Sequence, residues 1–522
     1  MTDRRAGGRD GNRTGRSGRR GRAARAASPA ARRPDYRQLR HPFAPQRLFS
    51  DDYIARIHDS ALRVLEQLGL RVLHAEARQI FAAAGALLDE REQMLRIGRD
   101  IVAAALHSAP RSMRMRARNP ARERRYEPGA LLFSPAGGCP NASDLLRGRR
   151  PGSLRDFEEA IKLQQSFDVI HKHGPSAEPQ DVPLPLRHYA MMRAQLRYGD
   201  KPLFIYSRGR RQVQECFEMI QLALGLSDDE FVDGFWANSI INSNSPRQLD
   251  APMAEAIIDF ARAGQMTVIT PFCLAGAMAP VTLAGALVLQ HAEALAGITL
   301  AQLSRAGAPV SYGGFASNVD MRSGAPAFGT PEHIKLSIGS GQLARHIGMP
   351  FRGAAGAAGN AADMQSAGEN HMGLWAQMLA NTTMVVHAAG WLEGGLAFGY
   401  EKFINDIEAL QILAELCAAP GEDQAGLAFD AIADVEPGGH FFSTAHTIER
   451  FSQAFYQPLV ADLRNHGSWL EAGALSASER ATGIWQRLLA EFEGPPGGDE
   501  AAARIADYIA DGERRGGAAP VS

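Results

Sequence analysis

Short apolar runs recur through the middle of this chain with helical stretches between them, at spacings of roughly thirty to forty residues, the pattern of parallel βα repeats. The runs fall at residues 167–171, 202–206, 234–241, 266–270, 309–313, 350–352 and 382–387, with an eighth at 396–400 or 431–435. None alternates strictly between apolar and polar positions, as expected of strands covered on both faces. Seven or eight such units predict an α/β fold, a (β/α)8 TIM barrel, with an N-terminal α+β cap and C-terminal helices. The predicted organisation is a tail over residues 1–40, a cap over 41–151, the barrel over 152–445 and a helical extension over 446–522.

The ends of the chain differ from this middle. Residues 1–40 are Arg, Gly and Ala with few acids and almost no large apolar groups, so they cannot bury enough surface to offset their ordering entropy, and a disordered tail is expected. A transit peptide and an RNA-binding arm share that composition. No aromatic residue interleaves with the arginines before Tyr36, which argues against RNA. Near Ser50 the folded part begins, with Ser50 as a helix cap, Asp51 and Asp52 in the first turn, and Ile54, Ile57, Ala61, Val64, Leu65 and Leu68 on one 3.6-period face.

A formal net charge of -1 over 522 residues gives no overall attraction to nucleic acid or anionic membrane. Between Arg262 and Glu293 about thirty residues carry no formal charge, a length that could span a bilayer. Pro271 and Pro280 interrupt it, so a buried strand followed by a buried helix is the expected outcome. Cys139, Cys216, Cys273 and Cys417 are widely separated, which indicates neither a zinc ribbon nor a disulfide framework and suits a reducing cytoplasm.

Familiar catalytic motifs are mostly excluded. Gly339-Ser340-Gly341-Gln342-Leu343-Ala344 has the letters of a dinucleotide turn but lies inside a helix capped by Thr330 with Pro331 at its first position. No Walker A sequence, GxSxG elbow or HExxH pair is present. His171 and His173 lack the thiolates or carboxylates of a metal site and read as hydrogen-bonded histidines, so no metal is expected.

Two successive strands end in Gly-rich turns with clustered polar groups, and loops so placed carry the chemistry of α/β proteins. At the predicted strand ends stand His171, His173, Tyr206, Asn242, Asn244, Thr270, Tyr312, Asn318, Asn360, His387 and Glu393, with the aromatics Phe272, Phe315 and Trp391. The set is poor in the Lys and Arg expected of a phosphate site. Aromatic faces beside an amide or carboxylate suit a cationic or quaternary ammonium ligand.

Four strings in order, Asn242-Ser243-Asn244-Ser245-Pro246 with Asp250, Pro271 with Gly276-Ala277, Tyr312-Gly313-Gly314-Phe315 through Asp320-Met321-Arg322-Ser323-Gly324 to Gly329-Thr330-Pro331-Glu332, and His387-Ala388-Ala389-Gly390-Trp391-Leu392-Glu393-Gly394-Gly395, closely resemble the trimethylamine methyltransferase (MttB) superfamily. The resemblance runs from about Gln38 to Glu493. It implies a TIM barrel that passes a methyl group from a methylated amine to the cob(I)alamin of a separate corrinoid protein, with no cofactor held by the chain itself. Trimethylamine-specific members carry a pyrrolysine, whose slot here falls near Gly356. Only Gly and Ala occupy that segment, so the chain resembles the non-pyrrolysine branch, some of whose members demethylate glycine betaine.

The expected site follows from that resemblance. Glu369 and His371 are the candidate catalytic residues, Glu369 as a counter-charge. Asn242, Asn244, Phe272, Tyr312, Phe315, Gly356, His387, Trp391 and Glu393 are the candidate substrate-binding residues. The expected partners are a corrinoid protein, a methylated amine and further copies of the chain, with no nucleic acid and no membrane. Two other readings stay open: a non-catalytic sensor of methylated amines on the same scaffold, and an RNA-binding protein acting through its Arg/Gly tail.

Overall fold

The computed structural model describes residues 35–206 and 208–521. Of these, 35–427 and 458–521 form one compact unit and 428–457 a second. The disordered-tail expectation for residues 1–34 lies outside the described residues. Residues 35–40 are folded: the Tyr36 hydroxyl donates to the His171 carbonyl at 2.6 Å, and β1 (Leu39–Arg40) pairs antiparallel with β2 (Ala130–Phe133).

The larger unit is organised by an eight-stranded, curled sheet. Its other strands are β3 (Leu203–Phe204), β4 (Ala237–Ile241), β5 (Met266–Ile269), β6 (Val310–Gly313), β7 (Phe351–Ala354) and β8 (Met384–Val386), and the order is β1-β2-β8-β7-β6-β5-β4-β3. All neighbours except β1 and β2 run parallel. Between β2 and β3 lies an extended segment that the sheet assignment omits. His171 N–H donates to Phe133 O at 2.9 Å and His173 N–H to Pro202 O at 3.0 Å, so the segment bonds to both edges.

Each of the seven parallel strands, and the extended segment, is followed by a helix: α1 (Leu154–Gln165), α2 (Leu184–Tyr198), α3 (Arg210–Leu224), α4 (Ala251–Arg262), α5 (Leu283–Ser304), α6 (Pro331–His346), α7 (Met364–Ala380) and α8 (Tyr400–Leu416). Thr330 caps α6 by accepting from His333 N–H, with Pro331 at its first position, as the sequence predicts. The uncharged stretch becomes β5, a loop and α5, a helix long and apolar enough to cross a bilayer that is mostly buried within the protein. The dinucleotide-like glycines lie inside α6. A Cβ on Gly341 would sit 2.4 Å from the Ala380 carbonyl, so the glycine lets α6 and α7 approach closely.

The eighth strand is where sequence and structure part. Residues 130–133, read as cap, form β2 of the main sheet. Residues 397–399 instead join a small sheet with Trp391–Leu392, Asn141–Asp144 and Gly148–Pro151, and Phe429–Ala433 is helical. The sequence marks Leu131-Leu132-Phe133-Ser134 as a short strand, but the irregular segments around it assign it to the cap rather than to the main sheet. The first helical face also ends early, because residues Val64–Leu68 form a π-helical turn that leaves Leu68 exposed.

Inside the sheet, Met113, Met115 and Tyr126 pack with Leu132, Met266, Val268, Met384 and Val386. This plug closes the interior below the strand ends. Outside it, Tyr312, Phe351, Ile269 and Val310 pack among the helices. The unit at 428–457 consists of two short helices, Phe429–Ala433 and Ala445–Ala454, with Phe442, Phe451 and Phe455 exposed.

Candidate active site

One cavity of about 520 Å³ opens above the apolar plug, at the C-terminal ends of the strands. Every parallel strand and the extended segment contribute to its lining: Ser134 after β2, Lys172, Phe204 and Tyr206, Ile240 and Asn242, Phe272, Phe315, Arg352, and Val386 with His387. Trp391 enters from the small sheet beyond β8, where it pairs with Phe398.

Aromatic rings form one wall. Phe272 and Phe315 have centroids 4.8 Å apart, and Phe315 lies 5.9 Å from Trp391 and 5.4 Å from His387. His387 stacks on Trp391 at 4.5 Å. Burial and the nearby Arg352 guanidinium hold the His387 imidazole well below its ordinary pKa, so it is neutral.

The opposite chemistry faces this wall. Arg352 and Lys172 are 1% and 3% exposed, and neither forms an ion pair among the described residues. Lys172 Nζ donates to His173 O at 2.7 Å and lies 5.0 Å from the centre of the Phe204 ring. Arg352 Nη2 approaches His387 Nε2 at 3.5 Å, and its Nε and Nη1 have no partner among the described residues. Burial, then repulsion by Arg352, brings Lys172 down to about 7. Burial lowers Arg352 to about 9, and it stays charged at neutral pH.

Two further charged groups line the cavity with duties of their own. Arg208 is paired with Glu178 at 2.6 Å. Asp250 caps α4 by accepting from Met253 N–H and also accepts from Asn244 Nδ2 at 3.2 Å.

Of the candidate site residues, Asn242, Phe272, Phe315, His387 and Trp391 meet in this cavity. The others do not. Tyr312 is fully buried and turned outward, its hydroxyl 3.1 Å from His291 Nδ1 on α5; one-residue alternation puts Ser311 on the inner face, against the Tyr126 hydroxyl. Asn244 braces Asp250. Glu393 is held by Arg149 at 2.9 Å, and the adjoining Gly394 and Gly395 line the cavity in its place.

The two candidate catalytic residues also lie outside the cavity lining. Glu369 accepts from the Ala358 and Gly359 N–H groups at 2.7 and 2.9 Å and from Gln365 at 2.8 Å, so it anchors the Gly-rich loop. His371 is exposed on α7. Both belong to a helix that supports the loop from behind.

Gly356 also lies behind the lining. Its φ is +107°, and a Cβ placed there would be 2.3 Å from Cε3 of Trp391. The indole therefore fills the space into which any side chain at 356 would project.

Lys172 and Arg352 were missed by reading strand ends for amides and aromatics. The signal was present. A cation inside an apolar strand run, as in Phe351-Arg352, is either paired or functional. His171 and His173 drew attention away from the residue between them. His171 Nδ1 accepts from Phe133 N–H at 3.0 Å and is pushed down to about 3 by burial, so the histidines brace the sheet while Lys172 turns inward.

A curled parallel sheet with a ligand cavity across its strand ends, walled by aromatic rings and floored by apolar side chains, defines an α/β protein built to enclose a small organic molecule. Residues 15–517 match the family described as Trimethylamine methyltransferase (MTTB), and the chain belongs to that family. It is a methyltransferase. Over 465 residues it is 33% identical to a glycine betaine methyltransferase of Desulfitobacterium hafniense (strain Y51), covering 89% of this chain and 96% of that one. Identity is 27% over 473 residues to trimethylamine methyltransferase MttB of Desulfitobacterium hafniense (strain DSM 10664 / DCB-2), covering 90% and 95%. It is 28% over 423 residues to a proline betaine:corrinoid methyltransferase of Eubacterium limosum, covering 76% and 84%.

Proposed function

We propose that this enzyme takes a methyl group from a quaternary amine such as glycine betaine and passes it to the cob(I)alamin of a separate corrinoid protein. The observation that carries this reading is the aromatic wall of Phe272, Phe315 and Trp391 around a cavity with no room for a side chain at residue 356. Ring faces attract a quaternary ammonium by their quadrupole and need no proton from it. The similarity to enzymes named for glycine betaine and proline betaine supports the same choice. The eight βα units, with the segment around His171 and His173 bridging β2 and β3, support a closed (β/α)8 barrel as the scaffold.

A quaternary ammonium already contains its leaving group. When a nucleophile attacks one methyl in line with the C–N bond, the bonding pair stays on nitrogen and a neutral tertiary amine departs. The corrinoid arrives on its own protein as the second substrate and supplies the nucleophile. The chain's residues therefore act by position: the rings hold the cation, the apolar plug of Leu132, Met266 and Met384 closes the cavity from below, and the methyl is left facing the strand-end opening. Cys139, Cys216, Cys273 and Cys417 are free thiols, which suits the reducing compartment such an acceptor needs, and a cytoplasmic location is part of the proposal. Self-association is part of the same proposal, and sedimentation of the purified chain tests it.

The test is methyl transfer by the purified chain, followed by the absorbance of reduced cobalamin, free or on a corrinoid protein. The panel is glycine betaine, proline betaine, carnitine, choline, trimethylamine and dimethylsulfoniopropionate. Transfer from a quaternary amine is expected, with none from trimethylamine. Transfer from trimethylamine alone would overturn the reading.

A further inference from the structure

Residues that line the cavity carry buried hydrogen-bond donors with no partner among the described residues. Arg352 Nε and Nη1, His387 Nδ1 and Trp391 Nε1 are all buried without partners, and all belong to residues that line the cavity. The imidazole is neutral, and its Nε2 is the atom nearest Arg352 Nη2, which assigns the proton to Nδ1. The unpartnered groups are therefore donors, two of them on a guanidinium, with the Lys172 ammonium close enough to repel it. Unpaired cations are seldom buried side by side, because each loses its hydration without a counter-charge. The one carboxylate among the lining residues, Asp250, is engaged as a helix cap, and the lining Arg208 is paired with Glu178.

We propose that Arg352 and Lys172 form a carboxylate-binding end of the cavity and restrict the substrate to zwitterionic betaines, which carry an anionic carboxylate a short reach from the quaternary nitrogen. The proposal rests on the quaternary-amine reading above and adds to it the second recognition element. A guanidinium is planar and charged, and its Nη1–Nη2 edge has the two-pronged donor geometry that the two oxygens of a carboxylate match. With the carboxylate between them, Arg352 and Lys172 cease to repel each other. The ammonium then lies toward Phe272, Phe315 and Trp391, shielded from the two cations by the substrate's own negative charge. Arg352 lies 5.3 Å from the centre of the Phe315 ring, so the two ends of the site adjoin. Choline and trimethylamine offer the ammonium end a ligand but leave both cations bare.

Calorimetric titration of the full chain separates the two ends. The probes are glycine betaine, tetramethylammonium, which has the cation alone, and 3,3-dimethylbutyrate, which has the carboxylate with a neutral tert-butyl group in place of the ammonium. The variants are Arg352→Met and Lys172→Met. Loss of a buried charge-assisted contact is expected to weaken glycine betaine and 3,3-dimethylbutyrate roughly 30-fold or more in Arg352→Met and about tenfold in Lys172→Met. Tetramethylammonium should bind both variants at least as well as wild type, which also shows that they are folded. Equal loss of all three probes, or unchanged glycine betaine affinity in both variants, would overturn the proposal. Arg352-dependent binding of 3,3-dimethylbutyrate with no quaternary amine bound would uphold the carboxylate end and sink the quaternary-amine reading. Tetramethylammonium binding to wild type with neither carboxylate bound would do the reverse.

Discussion

The imidazole of His387 lies almost flat on the indole of Trp391, with centroids 4.5 Å apart and planes 21° from parallel. The stack stiffens one wall of the cavity and leaves both ring N–H groups free.

Trp391→Leu keeps the wall apolar and removes the π face. A desolvated cation–π contact contributes up to about 2 kcal/mol, so tetramethylammonium and glycine betaine should both bind roughly 10- to 30-fold more weakly. Trp391→Phe should recover part of that loss. Titration checks both, and an unchanged dissociation constant in Trp391→Leu would remove the indole from the site.

Gly356→Ala meets two obstacles, a left-handed backbone and a Cβ placed 2.3 Å from the indole. Together they should cost about 2–4 kcal/mol of stability. Thermal denaturation reads the loss directly. Introduced into a Trp391→Ala background, itself destabilised by the emptied indole site, Gly356→Ala should cost less than it does in the wild type, since only the backbone term remains.

Glu369 is expected to matter for the loop and to leave the chemistry largely alone. Glu369→Ala strips two loop N–H groups of their acceptor, a loss of about 1–3 kcal/mol. Methyl transfer at saturating substrate should stay within about tenfold of wild type, because a displaced loop changes binding more than the reacting atoms. A loss of several orders of magnitude in kcat with normal stability would restore Glu369 to the catalytic machinery.

How far the sequence could be read depended on which signals are local. The βα alternation is local, and it located β3 through β8 and the cap of α6 at Thr330. The aromatic wall was also legible, because Phe272, Phe315 and Trp391 follow strand ends directly. Which way a side chain turns is another matter. Tyr312 and Lys172 each depend on a one-residue alternation that apolar runs covered on both faces do not display. The placement of Glu369 was hidden for a related reason: a carboxylate on the helix that follows a Gly-rich loop can face the ligand or grip the loop, and only the three-dimensional path decides.

Ligand binding should depend on pH through Lys172. Its folded value of about 7 is lowered by burial and by Arg352. Below that value the free protein carries the charge, and a carboxylate meets both cations. Above it Lys172 is mostly neutral and must take up a proton as the carboxylate binds. Glycine betaine affinity should therefore fall as pH rises from 7 to 9, by at most about tenfold per unit, with proton uptake visible as a dependence of the binding heat on buffer. Tetramethylammonium should show no such fall. The lysine also has a stability signature: its value is depressed on folding, so between about 7 and 10.5 the unfolded chain holds the extra proton, and stability from this group rises with pH across that window.

Gly356 and Trp391 exclude each other's bulk. A lineage moving between this cavity and one with a long side chain at 356 cannot do so by changing 356 first, since the indole already holds the volume. Position 391 has to be emptied beforehand, and that intermediate has neither the aromatic wall nor the new side chain. On this geometry the two positions have to change as a pair, since either substitution alone leaves the shared volume overfilled or empty.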